Sequence, residues 1–233
     1  MNQIQQCNGR ITKVVDLSPT AREYTIIPDV PISFVAGAFV NVFVEHNGKT
    51  IRRAFSMSSS DQHHDSFTLT IRLSPGGVLT PVLWSEDFTN KTVRLMGPLG
   101  LNTADKMTSA KVFLFGFGVG AGVVKSLAEH MSNRSNVESL TIVTGNRNVN
   151  EMLHKDFFDE LAVTHKNVMV RYVVSDTEQT EYLAGYAQDH INEFDFSGAD
   201  VYMCGHGVAC AALEAAVQAT NPTDCSFFVE DFH

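Results

Sequence analysis

The sequence predicts two domains, an antiparallel β-barrel followed by an α/β domain built on a doubly wound parallel sheet. Three observations predict it. Up to about Leu101 the chain reads as short strands between turn residues, with period-2 alternation clearest in Phe67-Thr68-Leu69-Thr70-Ile71-Arg72-Leu73. Beyond a polar linker at 102–109 the pattern changes to apolar strand, turn and amphipathic helix, several times over. The 233 residues, 44% of them hydrophobic, suffice for two cores, and we place the domains at 1–106 and 107–233.

In the first half, strands are expected at 10–16, 23–27, 39–45, 51–57, 67–73 and 92–96. Repeated short strands of this kind favour a closed or nearly closed barrel. Asn47-Gly48 is a hairpin turn pair, and one short helix is expected near 77–86. In the second half, strands are expected at 111–116, 139–144, 168–174, 200–204 and 226–230, with helices near 122–131, 152–163, 178–189 and 208–219. Regular β/α alternation implies helical crossovers and a mostly parallel sheet.

Charge and cysteine usage exclude several classes. With 17 Lys+Arg against 26 Asp+Glu the formal net charge is −9, which argues against the basic footprint of a nucleic-acid binder. The first thirty residues have no apolar core of signal-peptide length, and the longest apolar run, 112–124, contains four glycines and is too short to span a bilayer. The expected location is the cytoplasm. Cys7, Cys204, Cys210 and Cys225 match neither plant-type iron–sulfur spacing nor paired zinc motifs, so no metal is expected, at Cys204-His206-Cys210 included.

Four segments carry chemistry. Arg53-Ala54-Phe55-Ser56-Met57-Ser58-Ser59 joins a guanidinium for a phosphate, an aromatic face and hydroxyls for a heteroaromatic ring, though a half-buried strand gives the same alternation. Phe113 to Gly122 is an apolar strand entering a glycine-rich turn at a helix start, where a dinucleotide pyrophosphate can approach. A tight strand–helix turn reads equally well there. Val201 to Gly207 is a buried strand ending in a small flexible loop, and Pro75 to Thr80 places two glycines and a threonine at a short helix, as a phosphate site or a capped helix.

Together these segments resemble the ferredoxin–NADP⁺ reductase superfamily. Its flavin motif R-x-Y-[ST]-x-x-S is met by Arg53, Phe55, Ser56 and Ser59, with Phe for Tyr. Its G-x-x-[ST] element matches Gly77 to Thr80, and its G-P-x-G element matches Gly97, Pro98 and Gly100. Its G-G-x-G-x-x-P resembles Phe117 through Val123, where Phe117 replaces a Gly and Val123 the Pro. Its C-G matches Cys204 and Gly205, and its terminal acidic-then-aromatic pattern matches Glu230 and Phe232. The segments fall in order along nearly the whole chain.

The resemblance implies an FAD-binding barrel joined to an NAD(P)-binding domain, with hydride passing from nicotinamide to flavin in the cleft between them. The implied flavin site comprises Arg53, Ala54, Phe55, Ser56 and Ser59, the strand residues Thr70, Ile71 and Arg72, and the turn residues Gly76, Gly77, Val78, Leu79 and Thr80. The implied nucleotide site comprises Gly118, Val119, Gly120, Arg147, Ser175, Asp176, Cys204 and Gly205. Phe232 and His233 are expected near the flavin's open face, and Ser56, Cys204 and Glu230 are the implied catalytic residues. In NADPH users of this family a basic residue often follows the serine after the third strand; here Asp176 follows Ser175, a carboxylate that repels a 2′-phosphate and can bond a ribose hydroxyl. Arg147 pulls the other way, and the expectation leans to NADH over NADPH.

Electrons are expected to leave for a separate redox partner such as a ferredoxin, flavodoxin or oxygenase component. The alternative is an NAD(P)H:flavin reductase that treats free flavin as substrate, which the Gly77–Thr80 element disfavours. A third reading is a non-catalytic flavin- or nucleotide-binding subunit.

Overall fold

The computed structural model describes residues 3–176 and 181–232. Its first sheet contains β1 (Gln5–Ser18), β2 (Ala21–Pro28), β3 (Phe39–His46), β4 (Lys49–Ser56), β5 (Phe67–Arg72) and β6 (Thr92–Leu99), with α1 (Leu79–Ser85) between β5 and β6. The strands run in the order β4-β3-β6-β1-β2-β5, each neighbouring pair antiparallel. The two edges meet where Met57 bridges Leu69 and the Ser58 amide donates to Thr68 O at 2.8 Å, which closes the barrel. Its interior holds Tyr24, Ile26, Val40, Met57, Phe67, Leu69 and Leu95, all nearly solvent-free. Asn47 and Gly48 both take positive φ, the geometry of the two-residue hairpin expected there.

The second sheet contains β7 (Lys111–Phe117), β8 (Ser139–Asn146), β9 (Val168–Val174), β10 (Leu183–Ala184), β11 (Ala199–His206) and β12 (Ser226–Phe232), in the order β10-β9-β8-β7-β11-β12 and parallel throughout. Helices α2 (Gly120–Ser132) and α3 (Lys155–Thr164) cover one face; α4 (Gly207–Ala219) and the 3-10 segment Ala187–Glu193 cover the other. From β7 the chain moves outward through β8 to β10 and then returns to β11 on the other side. The strand order therefore reverses between β7 and β11, where open α/β sheets bind ligands at their carboxyl ends.

Three elements differ from the sequence expectation. The helix expected near 178–189 does not form over its described part: 177–180 lie outside the described residues, Leu183–Ala184 pair as β10, and Gly185 at φ +99 turns the chain into the 3-10 segment. The helix expected from 152 starts only at Lys155, because His154 is left-handed at φ 57. Strand β1 begins at Gln5 rather than near 10, and Gly9 lets it pass: a Cβ there would lie 2.6 Å from Leu95 and 2.7 Å from Ile26.

Candidate functional site

A cleft of about 810 Å³ opens where the barrel meets the carboxyl ends of the parallel strands. That size suits a cofactor. On the barrel side the end of β4 contributes Arg53, Ala54, Phe55 and Ser56, and the end of β5 contributes Thr70, Ile71 and Arg72. Gly77, Val78, Leu79 and Thr80 form the adjoining turn. On the other side stand Gly118 and Val119 after β7, Arg147 after β8, and Phe232 at the end of β12. These predicted residues, far apart in the chain, therefore share one cavity.

Several predicted residues lie off its wall. The Ser59 hydroxyl accepts from the Thr68 amide at 3.1 Å and so helps close the barrel. Gly76 has open space at its Cβ position. Ser175 donates its amide to Asn146 O at 3.0 Å, and Asp176 pairs with Arg147 at 3.3 Å. Gly120, Cys204, Gly205 and Glu230 lie behind the cleft, and His233 lies outside the described residues.

Glycines bring this back wall together. A Cβ on Gly120 would stand 2.1 Å from Cys204 O, and one on Gly205, at φ +144, would stand 2.6 Å from Phe117. Side chains at either position would push α2 or β11 away from β7. Gly118 is left-handed at φ 55, and the Arg72 guanidinium passes over it from the barrel. Arg72 also approaches Glu151 at 3.8 Å, while Glu151 accepts from the Ser18 and Thr20 hydroxyls at 2.7 and 2.8 Å. The two domains are thus joined beside the glycine turn.

Behind the wall, the Tyr202 hydroxyl donates to Glu230 Oε2 at 3.0 Å, with Cys204 fully buried beside them. Burial pushes the Glu230 carboxyl up to about 7, against the pull of the Tyr202 hydrogen bond. Burial, reinforced by the Glu230 charge, raises the Cys204 thiol well above its ordinary range. Cys204 is therefore a protonated thiol at neutral pH and no nucleophile.

Sequence reasoning missed several cleft residues. Gly145, Asn146, Asp231 and the exposed His206 also line it, beside Phe117 and Gly122 of the glycine-rich segment already singled out. For Gly145 and Asn146 a signal existed: they end β8, and ligands gather at such strand ends. Thr80 lines the cleft, but its hydroxyl accepts from the Ser74 amide at 2.9 Å and donates to Ser74 O at 3.3 Å, so it also shapes the turn.

Residues 9–103 match the oxidoreductase FAD-binding domain model and residues 114–214 the oxidoreductase NAD-binding domain model. The chain belongs to the ferredoxin–NADP⁺ reductase superfamily. Its cofactors are FAD and NAD(P)H. It is 29% identical to the phenol 2-monooxygenase reductase component DmpP of Pseudomonas sp. strain CF600, over 99% of this chain and 66% of that protein. It is 24% identical to the toluate 1,2-dioxygenase electron transfer component of Pseudomonas putida, over 86% of this chain and 59% of that one. The chain thus spans about three fifths to two thirds of the length of these relatives. Among solved structures, the FAD/NAD-binding domain of nitric oxide dioxygenase from Vibrio cholerae superposes with a TM-score of 0.87 at 16% identity, covering 97% of this chain and 98% of that one, a likeness of fold. Among the described residues no helix is long and apolar enough to cross a membrane.

Proposed function

We propose that this chain is a reductase module that takes hydride from NAD(P)H through bound FAD and delivers electrons to a separate protein, an oxygenase component or a ferredoxin-like carrier. The observation that carries the reading is the single cleft shared by the end of β4, the end of β5 and the glycine turn after β7, at the reversal of strand order. The residues present fit both cofactors. Arg53 is exposed at the cleft, and among the described residues its guanidinium donates to Arg52 O at 2.8 Å and to no side chain, which leaves donors for a phosphate. The left-handed backbone at Gly118 and the close seating of Gly120 let the start of α2 approach a pyrophosphate.

When bound, the flavin supplies a ring that accepts hydride and releases electrons singly. The chain's own residues do the rest. Phe55 and Phe232 bring aromatic rings to the cleft wall, and Ser56 brings a hydroxyl. Cys204 and Glu230 back the nucleotide side with a thiol that burial keeps protonated and a carboxyl that burial raises to about 7. Asp176, paired with Arg147 beside the cleft, favours NADH by setting a carboxylate against a 2′-phosphate. Relatives named as monooxygenase and dioxygenase reductase components support a protein acceptor. Placement in the cytoplasm belongs to the same reading, supported by four cysteines present as free thiols.

Anaerobic titration of the purified protein with NADH, followed by visible flavin absorbance, tests the reading. Bleaching of bound flavin by about one equivalent is expected, since each hydride carries two electrons. Colourless protein that turns over only with added free flavin would transfer the assignment to a flavin reductase. Coloured protein that neither NADH nor NADPH bleaches would make it a non-catalytic subunit.

A further inference from the structure

Thr70 and its cross-strand partner Glu23 are both held from the nucleotide domain. Thr70 lies on β5 opposite Glu23 on β2, lines the cleft and is only 9% exposed. The Lys125 ammonium on α2 reaches Glu23 at 3.4 Å, and His154 Nε2 stands 3.0 Å from Thr70 Oγ1. Helix α2 is seated against the same threonine: a Cβ on Gly122 would lie 2.7 Å from both its Cβ and its Oγ1. Thr70 therefore has little room to turn away, and among the described residues its side-chain hydrogen bond is shared with His154.

His154 is placed unusually to make that bond. It occupies the N-cap of α3, where Ser, Thr, Asp or Asn would bond the first free amides, yet its side chain makes no capping bond. Its backbone is left-handed at φ 57, ψ 24, a conformation that is strained for a residue with a Cβ. An imidazole kept there, turned away from its own helix and across to the barrel, points to a role outside α3. Burial, aided by the Lys125 ammonium, pushes its pKa down to about 3, so the ring is neutral at working pH. A neutral ring offers one N–H and one lone pair, and the Thr70 hydroxyl takes the complementary part.

We propose that His154 is a positioning residue for the flavin: it fixes the Thr70 hydroxyl across the domain boundary, so that the flavin ring edge meets an oriented group rather than a free rotor. The inference rests on the reading that FAD occupies this cleft. It makes the flavin's surroundings depend on the seating of the nucleotide domain through one hydrogen bond.

A double-variant cycle on the flavin-loaded full chain tests it, using His154→Leu, Thr70→Val and both together, with His154→Gln as the conservative replacement. The readouts are the visible flavin spectrum, the midpoint potential and FAD affinity. Each single variant is expected to shift the spectrum and weaken FAD binding about fivefold, the equivalent of about 1 kcal/mol for one hydrogen bond. The double variant is expected to be no worse than either, and His154→Gln to restore most of the wild-type spectrum. Should His154→Leu fail to fold, His154→Asn takes its place, since asparagine tolerates the left-handed backbone while its shorter amide stops short of Thr70. Additive losses, or a variant with wild-type spectrum and affinity, overturn the proposal while leaving the proposed function standing. Wild-type protein that neither purifies nor reconstitutes with FAD overturns both.

Discussion

Replacing Glu230 by glutamine isolates the charge behind the cleft. Burial holds Glu230 at about 7 against an ordinary 4.5, with the Tyr202 hydrogen bond opposing the shift. A group whose folded pKa is raised stabilises the fold below its unfolded pKa and loses that contribution as pH rises through the folded value. The window here runs from about pH 4.5 to about pH 7. A gap of about 2.5 units at about 1.4 kcal/mol per unit sets an upper bound of about 3.5 kcal/mol. Glutamine keeps an oxygen for the Tyr202 hydroxyl, so the substitution removes the charge and leaves the hydrogen bond. Unfolding free energies from urea titrations of both proteins, taken at intervals from about pH 4.5 to about pH 8, supply the measurement. The difference should move in favour of Glu230→Gln as pH rises, by up to about 3.5 kcal/mol, and level off above the upper end of the window. A difference that stays constant with pH refutes the buried-carboxyl argument.

Arg53→Ala should weaken FAD binding by about ten- to a hundredfold, the range for a lost charge-assisted hydrogen bond, read as flavin content after purification; unchanged content removes Arg53 from the flavin site. Asp176→Arg should raise kcat/KM for NADPH relative to NADH by about tenfold or more, because it exchanges a repulsive carboxylate for a phosphate partner beside Arg147; an unchanged ratio refutes the assignment. Gly120→Ala should destabilise the fold by about 3 kcal/mol or more, because its Cβ would stand 2.1 Å from Cys204 O; a Tm within about a degree of wild type would show that α2 is not tightly seated on β11.

The sequence announced its architecture because each half has a consistent period. The alternation at Phe67 to Leu73 became β5, and the apolar run ending in Gly116-Phe117-Gly118 became β7 and its turn. Local pattern failed where long-range approach decides. Glu178 to Asp189 has helical composition, but Gly185 and pairing of Leu183 and Ala184 with Val173 and Val174 override it in the described part. Arg53 to Ser56 and Gly118, singled out by residue type and glycine spacing, and Thr70 to Arg72, implied by the family resemblance, all line the one cleft. His154 carried no such signal: it fell inside the helix expected from 152, and its partner Thr70 lies 84 residues away on the barrel. Glu151 was silent for the same reason, its two hydroxyl partners lying more than a hundred residues away.

The two ends of the nucleotide side differ in how freely they can be rebuilt. The turn from Gly118 to Gly122 is wedged among Arg72, Cys204 and Thr70, so almost any added atom there disturbs both domains. The Arg147–Asp176 pair is exposed, its side chains 79% and 63% accessible, and its side chains contact the barrel through no hydrogen bond or ion pair among the described residues. On the proposed function, substitutions at the tips of β8 and β9 are expected to exchange coenzyme preference while leaving the wedged turn as it is. Evolution and protein engineering alike have an adjustable socket at one end of the cleft and a fixed hinge-pin at the other.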